Sequence, residues 1–255
     1  VDNGRAVSVD AYVAQLVAED RIRRDRLVLR RSRTLAGLAT AEERVLWRHE
    51  ATGPMSGFLW APELHLFQGK WIMYFAAGPS GGGEDVFRIR TYAVVCDGAD
   101  PMTGKWSVLG EFQAPWDSFN LDSTSFVHKG VRYFAWAQKE PGIDTNSNLY
   151  IAKLESPLKL AGKATRLTVP TLDWEVRGYK VAEAPAVLHR NGRLFMTYSA
   201  SATDDRYSLG MLTARDEIAD RVAGLEGQVR QKITVRTPDG KTPAEQLEDI
   251  LKEID

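Results

Sequence analysis

Ala61–Gly78 reads APELHLFQGKWIMYFAAG: an acid, an alternating apolar run, a turn closing on Gly69, then a second run rich in aromatic and β-branched residues. Alternation at period two on both sides of a short Gly-bearing turn specifies a β-hairpin. The pattern recurs at Leu121–Gln138 (LDSTSFVHKGVRYFAWAQ) and at Ala182–Ser201 (AEAPAVLHRNGRLFMTYSAS). The turn glycines Gly69, Gly130 and Gly192 are spaced 61 and 62 residues apart. Each hairpin is followed by another short alternating strand, at Arg90–Val95, Leu149–Leu154 and Leu209–Ala214, and a fourth copy stands at Leu27–Ser32. Self-similarity at a fixed period marks a repeat architecture.

An all-β fold of the β-propeller type accounts for this, each blade placing its first strand along a central channel. About four blades are readable. A β-sandwich is the competing fold, but it has no need of an acid repeated at the same phase. Glu63, Asp122 and Glu183 are separated by 59 and 61 residues, and a further step of 61 back from Glu63 reaches Asp2. The weak run Val7–Val17 is then the first hairpin, turning near Asp10 and Ala11. After Asp216 the period stops. Glu217–Lys232 reads as a polar amphipathic helix and Ile233–Arg236 as a short strand. Thr242-Pro243-Ala244-Glu245 is a capping box opening a second helix, with Leu247, Ile250, Leu251 and Ile254 as its apolar stripe. The expected organisation is a propeller over residues 1–216 and a small α/β appendage over 217–255. The appendage stands where a last blade would be, which raises a fusion or chimera as its origin, and open propeller edges would offer a route to a homo-oligomer.

Thirty-three basic and 34 acidic residues leave a formal net charge of −1, so no overall field draws in nucleic acid or an anionic membrane. No apolar stretch approaches the ~20 residues of a membrane span. The single cysteine, Cys96, excludes an internal disulfide and leaves the compartment open, as a secreted mature chain or a cytoplasmic one. A first residue other than Met is consistent with an upstream leader. Seven Trp, eight Tyr and nine Phe suit stacking on sugar faces as well as core packing, so a neutral carbohydrate is the favoured ligand.

Acids on innermost strands converge at one mouth of the channel, where crowding raises some pKa values. Glycosidic cleavage uses such a set: one carboxyl protonates the leaving oxygen while another acts as an anion. The plainer possibility is that the acids cap strands or pair with basic residues such as Arg30, Arg31, Arg88 and Arg177. His49, His65, His128 and His189 form no close ligand pair, and Gly81-Gly82-Gly83 is a blade connection rather than a phosphate loop, so neither a metal nor a cofactor is expected.

The phrases LWAPELHLFQGKWIMYFAAG, LDSTSFVHKG and VAEAPAVLHRNGRLFMTYSASATD resemble glycoside hydrolase family 43, especially its exo-acting α-L-arabinofuranosidases of arabinan breakdown. The similarity runs from about Arg26 to Arg215. It implies a five-bladed propeller and an inverting hydrolase acting on arabinose-containing oligo- or polysaccharide. It also implies Glu183 as the acid, Asp122 as the Asp that orients and tunes it, and Asp2 as the base. Trp60, Phe58 and Trp174, with Glu63, are the candidate substrate-binding residues. The chain departs from the family motif in carrying Ala182 and Ala184, rather than Asn and Gly, on either side of Glu183. That departure keeps open a propeller scaffold that binds carbohydrate without turnover.

Overall fold

The computed structural model describes residues 11–20, 23–80, 83–215 and 231–233, with side chains over 25–80 and 86–214. Four antiparallel sheets follow one another along the chain. The first holds β1 (Ala11–Asp20), β2 (Arg23–Ser32) and β3 (Glu43–Arg48). The second holds β4 (Gly57–Phe67), β5 (Lys70–Gly78), β6 (Arg90–Cys96) and β7 (Trp106–Glu111). In the third, β8 (Asn120–His128), β9 (Val131–Gln138) and β10 (Asn148–Ser156) are flanked by β11 (Lys159–Leu160) and β12 (Thr165–Thr168). The fourth holds β13 (Ala182–Arg190), β14 (Arg193–Ala200), β15 (Ser208–Arg215) and β16 (Gln231–Ile233). Two 3-10 turns, at Ala36–Ala39 and Gly83–Arg88, are the only helical segments among the described residues.

The three sequence hairpins are β4–β5, β8–β9 and β13–β14, closed by identical turns. Gln68-Gly69, Lys129-Gly130 and Asn191-Gly192 all take positive φ, between 47° and 82°. Two consecutive left-handed residues make a type I′ turn, whose twist matches that of the flanking strands, and Gly adopts its second position without a Cβ penalty.

Sheets pack face to face because the middle strands β5 and β9 bury both of their sides. Leu27, Leu29, Met73 and Phe75 fill the space between the first two sheets. Ile72 and Tyr74, on the other face of β5, meet Phe134 and Trp136 of β9. The reverse face of β9, with Tyr133, Ala135 and Ala137, meets Met196, Tyr198 and Ala200 of β14. Trp136 is fully buried and stacks on Tyr150 at 5.7 Å, its indole N–H donating to Gln138 at 2.8 Å. Each fully buried large apolar side chain of this kind contributes about 1.5–3 kcal/mol. Backbone hydrogen bonds stitch neighbouring sheets together: Asn120 N–H donates to the Ile89 carbonyl at 3.2 Å, and Ala182 N–H to the Ser147 carbonyl at 3.1 Å. The innermost strands β4, β8 and β13 thus lie side by side.

This is the expected β-propeller, and among the described residues no strand joins the first sheet to the fourth. Val7–Asp10, the opening part of the first expected hairpin, lies outside the described residues. Most of the α/β appendage lies outside them too. The strand expected at Ile233–Arg236 is found earlier, at Gln231–Ile233, paired with β15 through Leu209, Gly210 and Met211. The expected helix therefore does not extend to Gln231 or Lys232, whose backbone completes the fourth sheet. Cys96 is buried at the end of β6, its sulfur accepting the Gly98 N–H at 3.4 Å.

Candidate active site

The three innermost strands share a bulge. Between Trp60 and Glu63, Leu121 and Thr124, and Glu183 and Ala186, the inner strand advances three residues while its partner advances two. The first extra residue is left-handed each time: Ala61 at φ 46°, Asp122 at 51°, Ala184 at 50°. A bulge bends the strand and re-aims the side chains around it. At Ala184, where the resemblance implies a glycine, the left-handed conformation costs a residue with Cβ about 1 kcal/mol.

This geometry corrects the expectation that the acids keep phase. Structurally equivalent residues are Trp60, Leu121 and Glu183, then Ala61, Asp122 and Ala184, then Glu63, Thr124 and Ala186. Glu183 therefore precedes its bulge, Asp122 occupies its own, and Glu63 follows its own. The acids still converge, because adjacent strands place these offset positions against one another. Asp122 reaches across to the fourth sheet, its Oδ2 accepting the Ala184 N–H at 3.0 Å. Glu63 is held by His65, with Oε2 and Nε2 2.9 Å apart. Arg30 and Arg31 are engaged elsewhere, with Glu43 and Asp100.

Burial pushes the Asp122 carboxyl up to about 7, with the charges of Glu183 and, more weakly, Glu63 adding to the rise and the Ala184 N–H opposing it. Glu183 is also raised, by burial, against the hydrogen bond it receives from Tyr207. The tuning was expected to run from Asp122 to Glu183, but the repulsion is felt at Asp122, the more enclosed of the two. Two carboxyls coupled in this way retain a proton near neutrality, and it belongs to the pair.

Tyr207, absent from the sequence-based candidates, donates its hydroxyl to Glu183 Oε1 at 2.8 Å. Trp60, in the position equivalent to Glu183, is half-buried and meets Phe58 edge to face at 5.7 Å. Trp174 lies against Tyr198 at 6.0 Å and over Gly210, where a Cβ would come within 2.6 Å of its ring. Trp174 is thus seated, partly buried, in the packing of the fourth sheet. Glu175, next in sequence, is fully buried; it accepts the Thr171 and Leu172 N–H groups and the Tyr198 hydroxyl, and so fixes this loop. Asp2 lies outside the described residues. Among the described residues there is no cluster of three His, Cys, Asp or Glu able to hold a metal ion, and no helix long and apolar enough to cross a membrane.

The family model for glycosyl hydrolases family 43 matches residues 8–228. The chain belongs to that family. Within family 43 it is 52% identical over 190 residues to an extracellular exo-α-(1→5)-L-arabinofuranosidase of Streptomyces chartreusis, covering 74% of this chain and 57% of the relative. It is 50% identical over 192 residues to α-L-arabinofuranosidase 43 of Humicola insolens, covering 75% of this chain and 39% of that one. The crystal structure of an α-L-arabinofuranosidase from Lactobacillus brevis superposes with a TM-score of 0.76 at 44% identity, over 81% of this chain and 65% of that one. The family 43 chain thus spans between about two fifths and two thirds of the length of these relatives.

Proposed function

We propose that the chain is an exo-acting glycosidase that removes terminal α-L-arabinofuranosyl residues from arabinan or arabino-oligosaccharides, inverting the anomeric carbon. The observation that carries this reading is the coupled pair Asp122 and Glu183 on adjacent inner strands, with both carboxyls shifted toward their protonated forms. A proton held at neutral pH is what a general acid needs. Glu183 gives it to the glycosidic oxygen as the bond to the anomeric carbon breaks. A water, deprotonated by a second carboxylate, attacks from the opposite face. Asp2 is the proposed base, on its place one repeat before Glu63 and on the family resemblance. Asp122 shares the proton of the coupled pair with Glu183 and, through Ala184, fixes the bulge that aims it. Trp60 and Phe58 are the proposed wall of the sugar site, half-exposed aromatics suited to a furanose face. Names of close relatives, each an arabinofuranosidase, support the substrate class.

The test is the product pattern from a linear α-1,5-linked arabino-oligosaccharide. Free arabinose should accumulate from the first minutes, with the oligosaccharide shortened one residue at a time, and the activity should be lost in Asp2→Ala. Early appearance of mid-length fragments would overturn the exo reading. Oligosaccharide binding in calorimetry without any product would instead favour a sugar-binding scaffold.

A further inference from the structure

We infer that Tyr207 is a positioning residue that fixes which oxygen of Glu183 carries the transferable proton. The inference rests on the glycosidase reading above and deepens it.

Tyr207 stands immediately before β15, the place held by Ile89 before β6 and Ser147 before β10. In the second and third sheets this residue is fully buried, and its carbonyl accepts the N–H of the next sheet's inner strand. In the fourth sheet it is instead a tyrosine, 41% exposed, whose ring runs back to its own sheet's inner strand and whose hydroxyl donates to Glu183 Oε1 at 2.8 Å. Ser199 completes the arrangement. It pairs directly with Glu183 across β13 and β14, where the equivalent residues are Ala76 and Ala137, and its hydroxyl bonds to Tyr207. A polar residue replaces alanine at the one repeat whose inner strand carries the acid.

A phenol that donates to Oε1 leaves Oε2 as the oxygen on which the acidic proton sits. That oxygen can therefore face the glycosidic bond without the carboxyl turning. When the proton leaves, the same donor bonds the new carboxylate, a charge-assisted bond stronger than the one to the neutral acid. Burial and the Glu183 charge hold the phenol itself well above its usual range, so it remains a donor throughout. The charged groups around the pair are Asp122 on β8 and, beyond it, Glu63 on β4 with His65; Arg206, next to Tyr207, is occupied by Asp204.

Tyr207→Phe removes only the hydroxyl, and Ser199→Ala loosens it. The acid of Glu183 should titrate about one unit higher in Tyr207→Phe than in the wild type, followed by carbon NMR of glutamate labelled at Cδ and assigned with Glu183→Gln. The alkaline limb of kcat/KM should move up with it. On an arabino-oligosaccharide kcat should fall about 10- to 100-fold with KM little changed, and the loss should be several-fold smaller on a nitrophenyl arabinofuranoside, whose leaving group needs less protonation. Ser199→Ala should move each quantity in the same direction by less. An unshifted Glu183 titration in Tyr207→Phe would overturn the inference even if the wild type proves inactive on arabinosides. A shifted titration with wild-type rates on both substrates would overturn the positioning role and leave the glycosidase reading intact.

Discussion

Glu183→Gln lowers kcat on an α-1,5-linked arabino-oligosaccharide by about 10³-fold, the scale of a lost general acid. The amide has nearly the size of the acid, and its carbonyl oxygen can still accept the Tyr207 hydroxyl that now bonds Oε1. Binding and the fold are therefore retained, and KM should change little. The proton is what is lost. On a nitrophenyl arabinofuranoside the fall should be nearer 10-fold to 100-fold, because nitrophenolate departs with little help. The alkaline limb of the rate profile should disappear, since no titrating acid remains to define it. Steady-state kinetics on the two substrates across pH provide the check. A variant within a few-fold of wild type on the oligosaccharide would mean that another group protonates the leaving oxygen.

Asp122→Asn separates activity from stability. Turnover should fall about 10²-fold, because a neutral amide cannot share the proton that the coupled carboxyls hold between them, and the alkaline limb should then follow the titration of Glu183 alone. Stability should change in the opposite direction. The folded Asp122 carboxyl titrates near 7 rather than near the ordinary carboxylate value, so the native state binds more protons than the unfolded chain between about pH 4 and pH 7. Stability from this group is therefore intact below about pH 4 and declines as pH rises to 7. Asn removes that decline while its carbonyl oxygen can still accept the Ala184 N–H. The variant should match the wild type near pH 4 and exceed it by about 1–2 kcal/mol at pH 8, allowing for solvent screening. For a domain of this size that is a rise of several degrees in Tm, measurable by thermal unfolding at the two pH values. A variant less stable than the wild type at pH 8 would show that the bond to Ala184 outweighs the buried charge.

The hairpins were legible in the sequence because their information is local. Alternation names the strands, and a glycine that must be left-handed names the turn, so Gly69, Gly130 and Gly192 set the repeat without reference to tertiary structure. The bulges were not legible, because an extra residue in an alternating run resembles a lapse in patterning. Their trace was present in the spacings: Glu63 lies six residues before its turn glycine, Asp122 eight and Glu183 nine. Acids that drift against the turns cannot occupy equivalent positions. Tyr207 was hidden for another reason. It lies in the connection SASATDDRYSLG, outside the hairpin pattern, and its role depends on a contact across 24 residues that no local signal encodes. Trp174, chosen by residue type as a sugar wall, packs on Tyr198 and over Gly210 with part of its surface still exposed, a placement that type alone does not specify.

Glu183 as proton donor in a single displacement is most directly examined by the configuration of the first product. Proton NMR of a nitrophenyl α-L-arabinofuranoside reaction, recorded before mutarotation, should show β-L-arabinofuranose as the initial sugar, with α appearing only later. Initial formation of the α anomer would contradict single displacement and would require a covalent intermediate.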